Sequence, residues 1–281
     1  MHDWFMIITL TTDFGYKDYF VGSMKGVILG INPHAQVIDI SHEVEPYNVT
    51  AAAYLIKASY LYFPKGTIHV VVVDPGVGST RRSILVEKNG SYFVGPDNGV
   101  FSYIYQEAQK IRIVHLTSQE YFLNPTTQRV PGPTFQGRDI FAPVAAWLSK
   151  GIDPLKLGEQ IQDPVKLPLA EPRWVNNGTL EGRIIYIDRF GNLITNITRT
   201  YFSAVSPPEA DQGPITSGKV ILKGKILALK GFYAEGKPGE PCVLMNSCGH
   251  LEVFINLGNA QQQFEASVGD SIMVRVKRSN A

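Results

Sequence analysis

The sequence predicts an α/β fold: an N-terminal, sandwich-like domain around a central, mostly parallel sheet, followed by a smaller all-β, barrel-like domain. Three observations predict it. Over the first half, short β-rich runs alternate with amphipathic helical ones, as layered α/β units require. Beyond residue 180 the helical periodicity is gone, and short strands recur between Gly and Pro turns. The length of 281 residues also exceeds the roughly 100–200 expected of a single domain. The expected division is 1–150 for the N-terminal domain, 151–180 for a connector and 181–281 for the C-terminal domain.

Met6–Leu10 reads as a buried strand. Across Asp18–Asn32, Val21, Met24, Ile28 and Ile31 share one helical face. Asn32-Pro33 stops that helix, because proline disfavours α geometry in the residue before it. Gln36–Ile40 is the next strand, and Val49–Tyr60 is an Ala-rich helix. His69–Val73 is an almost wholly β-branched run of the kind covered on both faces, ended by Asp74-Pro75-Gly76. Ser83–Lys88 and Tyr92–Val94 flank Asn89-Gly90, a tight-hairpin signal. Ile111–Leu116 adds a strand, and Ile140–Leu148 a helix with Ile140, Val144, Trp147 and Leu148 inward. Pro154, Pro164, Pro168 and Pro172 interrupt the connector. Further strands follow at Arg183–Ile187, Leu193–Ile197, Lys219–Leu222, Ile226–Leu229, Cys242–Met245, Leu251–Ile255 and Ser271–Val276.

Composition narrows the function classes. Apolar residues are 44% and charged residues 18% of the chain, an ordinary globular balance. With 26 Lys and Arg against 25 Asp and Glu, a net charge of +1 supplies no field for nucleic acid or an anionic membrane. Cys242 and Cys248 are too few for a disulfide framework and lack zinc-site spacing, which points to the cytoplasm. Met1–Leu10 has no basic segment and too short an apolar run for a leader or a spanning helix, so a soluble, unprocessed chain is expected. None of the 6 histidines forms a ligand pair with metal-site spacing, and His42 reads as structural. G-x-S-x-G is absent, so neither metal-dependent hydrolysis nor acyl transfer is indicated.

Open α/β sheets bind ligands at the carboxyl ends of their strands, so polar clusters there come first. Asp13, in Thr11-Thr12-Asp13-Phe14-Gly15, is placed either to accept both hydroxyls of a ribose or to cap the next helix. Asp74 precedes Arg81 and Arg82 by seven and eight residues, as a site carboxylate or as half of a structural ion pair. The glycines between lack the Lys of a P-loop and the dinucleotide spacing. Gly95-Pro96-Asp97-Asn98-Gly99 is a turn. In Pro133–Asp139, Asp139 is placed to cap the helix at Ile140, with Gln136 and Arg138 on the loop above the sheet. Asp188–Asn192 and Asn246–Glu252 each read alone as hairpin turns.

In their order along the chain, Thr9–Gly15, Asp74–Gly78, Gly95–Gly99, Thr134–Pro143, Phe190-Gly191-Asn192 and Asn246-Ser247 together resemble one family. It is the S-adenosyl-L-methionine (SAM) hydroxide adenosyltransferases, hydrolases related to the fluorinating and chlorinating enzymes, and the resemblance covers nearly the whole chain. It implies that SAM is the substrate, adenosine and L-methionine are the products, and no cofactor is needed. It also implies a homotrimer with SAM at the junction of one subunit's N-domain and a neighbour's C-domain. By resemblance, Asp13 holds the ribose and Tyr47 lies near the adenosine. Phe190 and Asn192 contact the adenine, joined by the Ala260 backbone. Asp188 and Ser247 take the amino and carboxylate groups of the methionine part, and Glu252 belongs to the same pocket.

The family's hydrolases hold and polarise water with Asp, Arg and His. Asp74 and Arg81 match the first two positions, but Gln136 stands at the third. Glutamine orients a water without taking its proton. The substrate eases that loss, since its sulfonium already activates C5′ and the leaving methionine is neutral. Asp74 and Gly137 replace the Tyr and Ser of the halogenating relatives, and a carboxylate there repels halide. Gln136 leaves a second reading, a SAM or adenosine binder without turnover.

Overall fold

A computed structural model of the chain describes residues 6–106, 110–123, 132–176, 178–203 and 218–276. Met1–Phe5, the start of the segment read as an unprocessed N-terminus, lie outside them. The chain divides after Pro168 into two compact units.

The first unit contains β1 (Ile7–Thr12), α1 (Phe20–Ile31), β2 (Gln36–Ser41), α2 (Val49–Ser59), β3 (Ile68–Val72), β4 (Ser83–Lys88) and β5 (Ser91–Pro96). It continues with α3 (Ser102–Gln106), β6 (Ile111–Leu116), α4 (Ala142–Ser149) and β7 (Gly158–Ile161). Its sheet has the order β2-β1-β3-β5-β4-β6-β7. The first four run parallel, and β6 points the same way because both it and β5 are antiparallel to β4.

Every residue of β3 is buried, as the unbroken apolar run requires. Val70 and Val72 join the core under α1 and α4, with Met24, Ile28 and Val144. Val71 and Val73 face the opposite core, with Ala52, Ile56, Phe101 and Ile104. The sheet is therefore sandwiched between two helical layers. α1 starts two residues later than the periodicity suggests, and its end is pinned where Asn32 Nδ2 donates to Ser149 Oγ at 2.8 Å. Of the residues expected to face inward from the helix at 140–148, Val144 and Leu148 are buried, while Ile140 and Trp147 are half-buried. That helix enters through a π-type turn, Gly137–Phe141. Asp139 lies inside this turn and does not cap α4: its carboxylate pairs with Arg138 and accepts the Gly132 N–H.

Residues read as connector contribute two strands. β7 extends the first sheet beside β6, and β8 (Arg173–Asn176) pairs with β9 in the second unit. Each is four residues long, too short to show a period-2 pattern.

The second unit comprises β8, β9 (Thr179–Ile187), β10 (Leu193–Thr198), α5 (Arg199–Ser203), β11 (Gly218–Leu222), β12 (Lys225–Leu229), β13 (Pro241–Met245), β14 (His250–Ile255), α6 (Ala260–Phe264) and β15 (Ser271–Val276). The order β9-β10-β14-β13-β12-β11-β15 returns to β9, closing a seven-stranded barrel. Its core includes Leu180, Leu193, Val220, Val243, Val253 and Ile272, with Ala260 and Phe264 of α6.

Tight packing of β5 on β3 sets the sheet's carboxyl edge. A Cβ at Gly95 would stand 2.5 Å from the Val71 carbonyl oxygen and 3.1 Å from the Phe101 ring. We predict that Gly95→Ala loses about 1–3 kcal/mol, the usual cost of overpacking a core. Urea unfolding reads this directly, and an unchanged midpoint would show that the two strands can part.

Candidate active site

The chain leaves β1 toward β2 on one side and returns to β3 on the other, so the strand order reverses between β1 and β3. Ligand crevices of open α/β sheets lie outside the carboxyl ends of strands at such a switch. Here that position holds a cavity of about 330 Å³, lined by Asp13, Phe14, Phe20, Pro46, Tyr47, Val72, Asp74, Val77, Thr134, Phe135, Gln136 and Gly137. The volume falls at the small end of the range for small-molecule sites.

One wall carries Asp13. Its Oδ2 accepts the backbone N–H of Tyr47 at 2.9 Å, which ties the loop after β1 to the loop after β2. Asp13 therefore does not cap α1, whose N-cap is Tyr19. Tyr47 has φ of 68°, a left-handed conformation that non-glycine residues adopt at a cost of roughly 1–3 kcal/mol. Its side chain is 72% exposed at the cavity mouth. Phe14, Phe20 and Phe135 meet edge-on or tilted, with centroids 5.2–5.9 Å apart, and form an apolar side of the cavity.

The opposite wall carries Asp74 and Gln136, with Arg81 behind them. Arg81 Nε donates to Asp74 Oδ1 at 3.0 Å, and one Nη donates to both Asp74 Oδ2 and Gln136 Oε1. The other Nη donates to the Arg82 carbonyl at 3.2 Å and to Ser83 Oγ at 3.1 Å. All five guanidinium hydrogens therefore have acceptors. With its carbonyl oxygen committed to Arg81, Gln136 has an amide nitrogen with no acceptor among the described residues. The Arg81 and Asp74 side chains are 10% and 4% exposed, and the guanidinium lies 5.6 Å from the Phe141 ring centroid. Asp74 and Arg81, from one sequence cluster, and Gln136, from another, thus meet in one hydrogen-bonded set. Arg82 does not join them: it pairs with buried Asp97 and with Asp163.

The second unit has a cavity of about 700 Å³, lined by Asp188, Phe190, Asn192, Tyr233, Ile255, Asn256, Leu257 and Gly258. Asp188 shapes the turn between β9 and β10, accepting the N–H groups of Phe190 and Asn192 and the Asn192 side-chain amide, each at 2.9 Å. The Gln261 N–H donates to the Gly191 carbonyl at 2.9 Å, which sets buried Ala260 beside this turn. Glu252 is buried and accepts from Tyr233 Oη at 2.7 Å and Asn246 Nδ2 at 2.9 Å. Burial raises its pKa above the usual carboxylate value, against those two hydrogen bonds. Ser247 is exposed on the turn between β13 and β14. Ser247, Glu252 and Ala260 do not line the cavity, whereas Tyr233, Asn256 and Leu257, unmarked by any sequence motif, do.

Comparison with known proteins bears on both units. The model of the SAM hydroxide adenosyltransferase N-terminal domain matches residues 8–158, and that of the C-terminal domain matches residues 182–273. The chain belongs to the SAM hydroxide adenosyltransferase family. An (R)-S-adenosyl-L-methionine hydrolase of Methanocaldococcus jannaschii is 38% identical over 280 residues, covering 95% of each chain. A hydrolase of the same name from Thermus thermophilus is 32% identical, over 89% of this chain and 92% of its own. A fluorinase of Actinopolyspora mzabensis is 29% identical, over 97% of both. An uncharacterized conserved protein of Thermotoga maritima, 36% identical, superposes with a TM-score of 0.85 over 96% of this chain and 100% of its own. Among the described residues, no group of three or more His, Cys, Asp or Glu is arranged to hold a metal ion. Nor is any described helix long and apolar enough to cross a membrane.

Breaking a buried ion pair by removing one partner costs about 3–5 kcal/mol, because the other charge stays buried. Arg81→Met is therefore expected to destabilise the protein by that order, with Asp74→Asn/Arg81→Met losing less than the sum of its single variants. A double-mutant cycle by chemical denaturation measures the coupling, and strictly additive losses would contradict the pairing.

Proposed function

We propose that the protein hydrolyses SAM to adenosine and L-methionine by in-line attack of water on C5′. The observation that carries the reading is Asp74 and Gln136 side by side on the cavity wall, oriented by one shared arginine, in a chain whose relatives are named (R)-SAM hydrolases. In this reading Asp13 accepts the ribose hydroxyls and Tyr47 covers the nucleoside. Phe190, Asn192 and Ala260 serve the adenine. Asp188 and Ser247 hold the amino and carboxylate groups of the methionine part, with Glu252 supporting the same pocket.

The nucleophilic water donates a hydrogen bond to Asp74 and accepts one from the Gln136 amide. Attack forms the C5′–O bond as the C5′–S bond breaks, the electron pair goes to sulfur, and methionine leaves neutral. One proton is released per turnover. Arg81 acts through its two partners, since its own N–H groups are occupied. A unit charge about 4 Å from a forming hydroxide is worth at most ~4 kcal/mol at an effective dielectric near 20, and the Asp74 charge offsets part of it. Alignment therefore carries more of the rate than charge does, provided water sits about 3–3.5 Å from C5′. This division of labour requires no proton transfer at residue 136, which favours turnover over a binder that has lost activity. A cytoplasmic homotrimer, with each site drawing on two subunits, is the assembly proposed with it. The R configuration at sulfur, specified in the relatives' names, is the proposed preference.

Incubation with SAM in ¹⁸O-water, followed by mass spectrometry, is expected to place the label in the 5′-hydroxyl of adenosine. No adenosine at all would overturn the enzyme reading, and unlabelled adenosine would overturn attack by water. Presenting the two sulfonium epimers separately tests the R preference, which equal rates would contradict. Because the Gln136 amide does not titrate, the wild-type rate should show no limb from this position between pH 5.5 and 8.5. Gln136→His places there an imidazole, ordinary pKa about 6.5, which must be neutral to accept from Arg81. Its activity should fall as pH drops through that value, and a variant profile matching the wild type would contradict the assigned role.

A further inference from the structure

His42 is buried where the two loops that carry Asp13 and Tyr47 meet, and neither ring nitrogen reaches the cavity. Nδ1 lies 2.8 Å from Thr12 Oγ1, and Nε2 stands 3.1 Å from Asp39 Oδ1. The His42 carbonyl accepts the Gly15 N–H at 2.7 Å, and the Thr12 carbonyl accepts the Val44 N–H at 3.4 Å. Asp13 sits between Thr12 and Phe14, and its carboxylate in turn accepts the Tyr47 N–H. On the far side of the ring, Nε2 and Asp39 Oδ1 are close without hydrogen-bond geometry, and Asp39 is held by other groups. Asp39 accepts from Lys25 Nζ at 2.6 Å and from Tyr16 Oη at 3.3 Å. Tyr16 also meets the imidazole edge-on at 5.0 Å. Burial opposes ionisation of Asp39, but Lys25 and His42 outweigh it and keep the carboxyl below its ordinary value.

A hydroxyl, imidazole and carboxylate in line suggest a nucleophile relay, yet Thr12 is fully buried and its hydroxyl also accepts the Phe14 N–H at 3.2 Å. Thr12 does not line the cavity. The network has a different product, the fixed spacing of Asp13 and Tyr47. We infer that His42 is a positioning residue for the nucleoside pocket, setting the Asp13–Tyr47 wall through Thr12, with the Asp39 carboxylate packed beside its Nε2. The inference rests on reading the first cavity as the nucleoside pocket.

Loss of the contact removes binding made equally in the ground and transition states, which raises KM and leaves kcat in place. His42→Ala is expected to raise KM for SAM by about tenfold or more with kcat within about threefold, the signature of lost uniform binding. Asn in place of His42 keeps a polar atom near the Thr12 hydroxyl and should restore most of the affinity. Thr12→Val, which keeps the shape and removes the hydroxyl, should reproduce the KM rise even if His42→Ala fails to fold. Calorimetry with adenosine separates the two levels of the account. No binding by the wild type would overturn the pocket reading and this inference with it. Wild-type binding with undiminished affinity in folded His42→Ala, or in Thr12→Val, would overturn the role of His42 alone. A loss confined to kcat would do the same.

Discussion

Asp74 stands just beyond the end of β3, and its carboxylate is gripped by the guanidinium of Arg81 in a largely dehydrated recess. That pair organises the chemistry around it. It spends every arginine hydrogen on protein acceptors, it orients Gln136 by taking the amide oxygen, and it leaves one carboxylate and one amide nitrogen toward the cavity. A buried pair of this kind is weak evidence for stability but strong evidence for geometry, since each partner has few other places to go. Gln136 also opens the π-type turn before α4, a local irregularity of the kind often found at functional sites.

Sheet topology explains why the pair sits beside Asp13. The reversal of strand order between β1 and β3 opens the crevice, and both aspartates follow the strands that border it. This much was legible in the sequence, because an apolar run ending in a polar turn identifies a strand's carboxyl end. Asp74 with Arg81, and Gln136, were legible as two separate clusters, and the family resemblance joined them. The saturation of Arg81 was not, because nothing in the spacing announces that Ser83 Oγ and the Arg82 carbonyl take the second Nη. The role of His42 was hidden for a similar reason: Asp39 is only three residues away, on the strand that His42 follows, but Thr12 comes from the end of the neighbouring strand β1, a contact that local pattern does not encode. Asp139 shows the opposite error, a residue with helix-capping chemistry drawn instead into a pair with Arg138.

The second unit was less readable. Strand recurrence gave the barrel class, yet β7 and β8 were lost in a Pro-interrupted stretch because four exposed or half-exposed residues carry no alternation. Tyr233 lies on a short 3₁₀ turn and marks no motif, although it caps buried Glu252 and lines the larger cavity. Asp188, by contrast, matters first as a turn-former. Its three hydrogen bonds fix Phe190 and Asn192, so its proposed contact with an amino group is made by an oxygen already held in place.

The central claim is that the first cavity holds the nucleoside with C5′ facing a water set by Asp74 and Gln136. A crystal structure of the protein soaked with adenosine tests it most directly. The account predicts the ribose hydroxyls on the Asp13 carboxylate and the 5′-oxygen in contact with both Asp74 and the Gln136 amide nitrogen, with Arg81 behind them. Adenosine bound elsewhere, or bound in this cavity with its 5′-oxygen turned away from that pair, would contradict it.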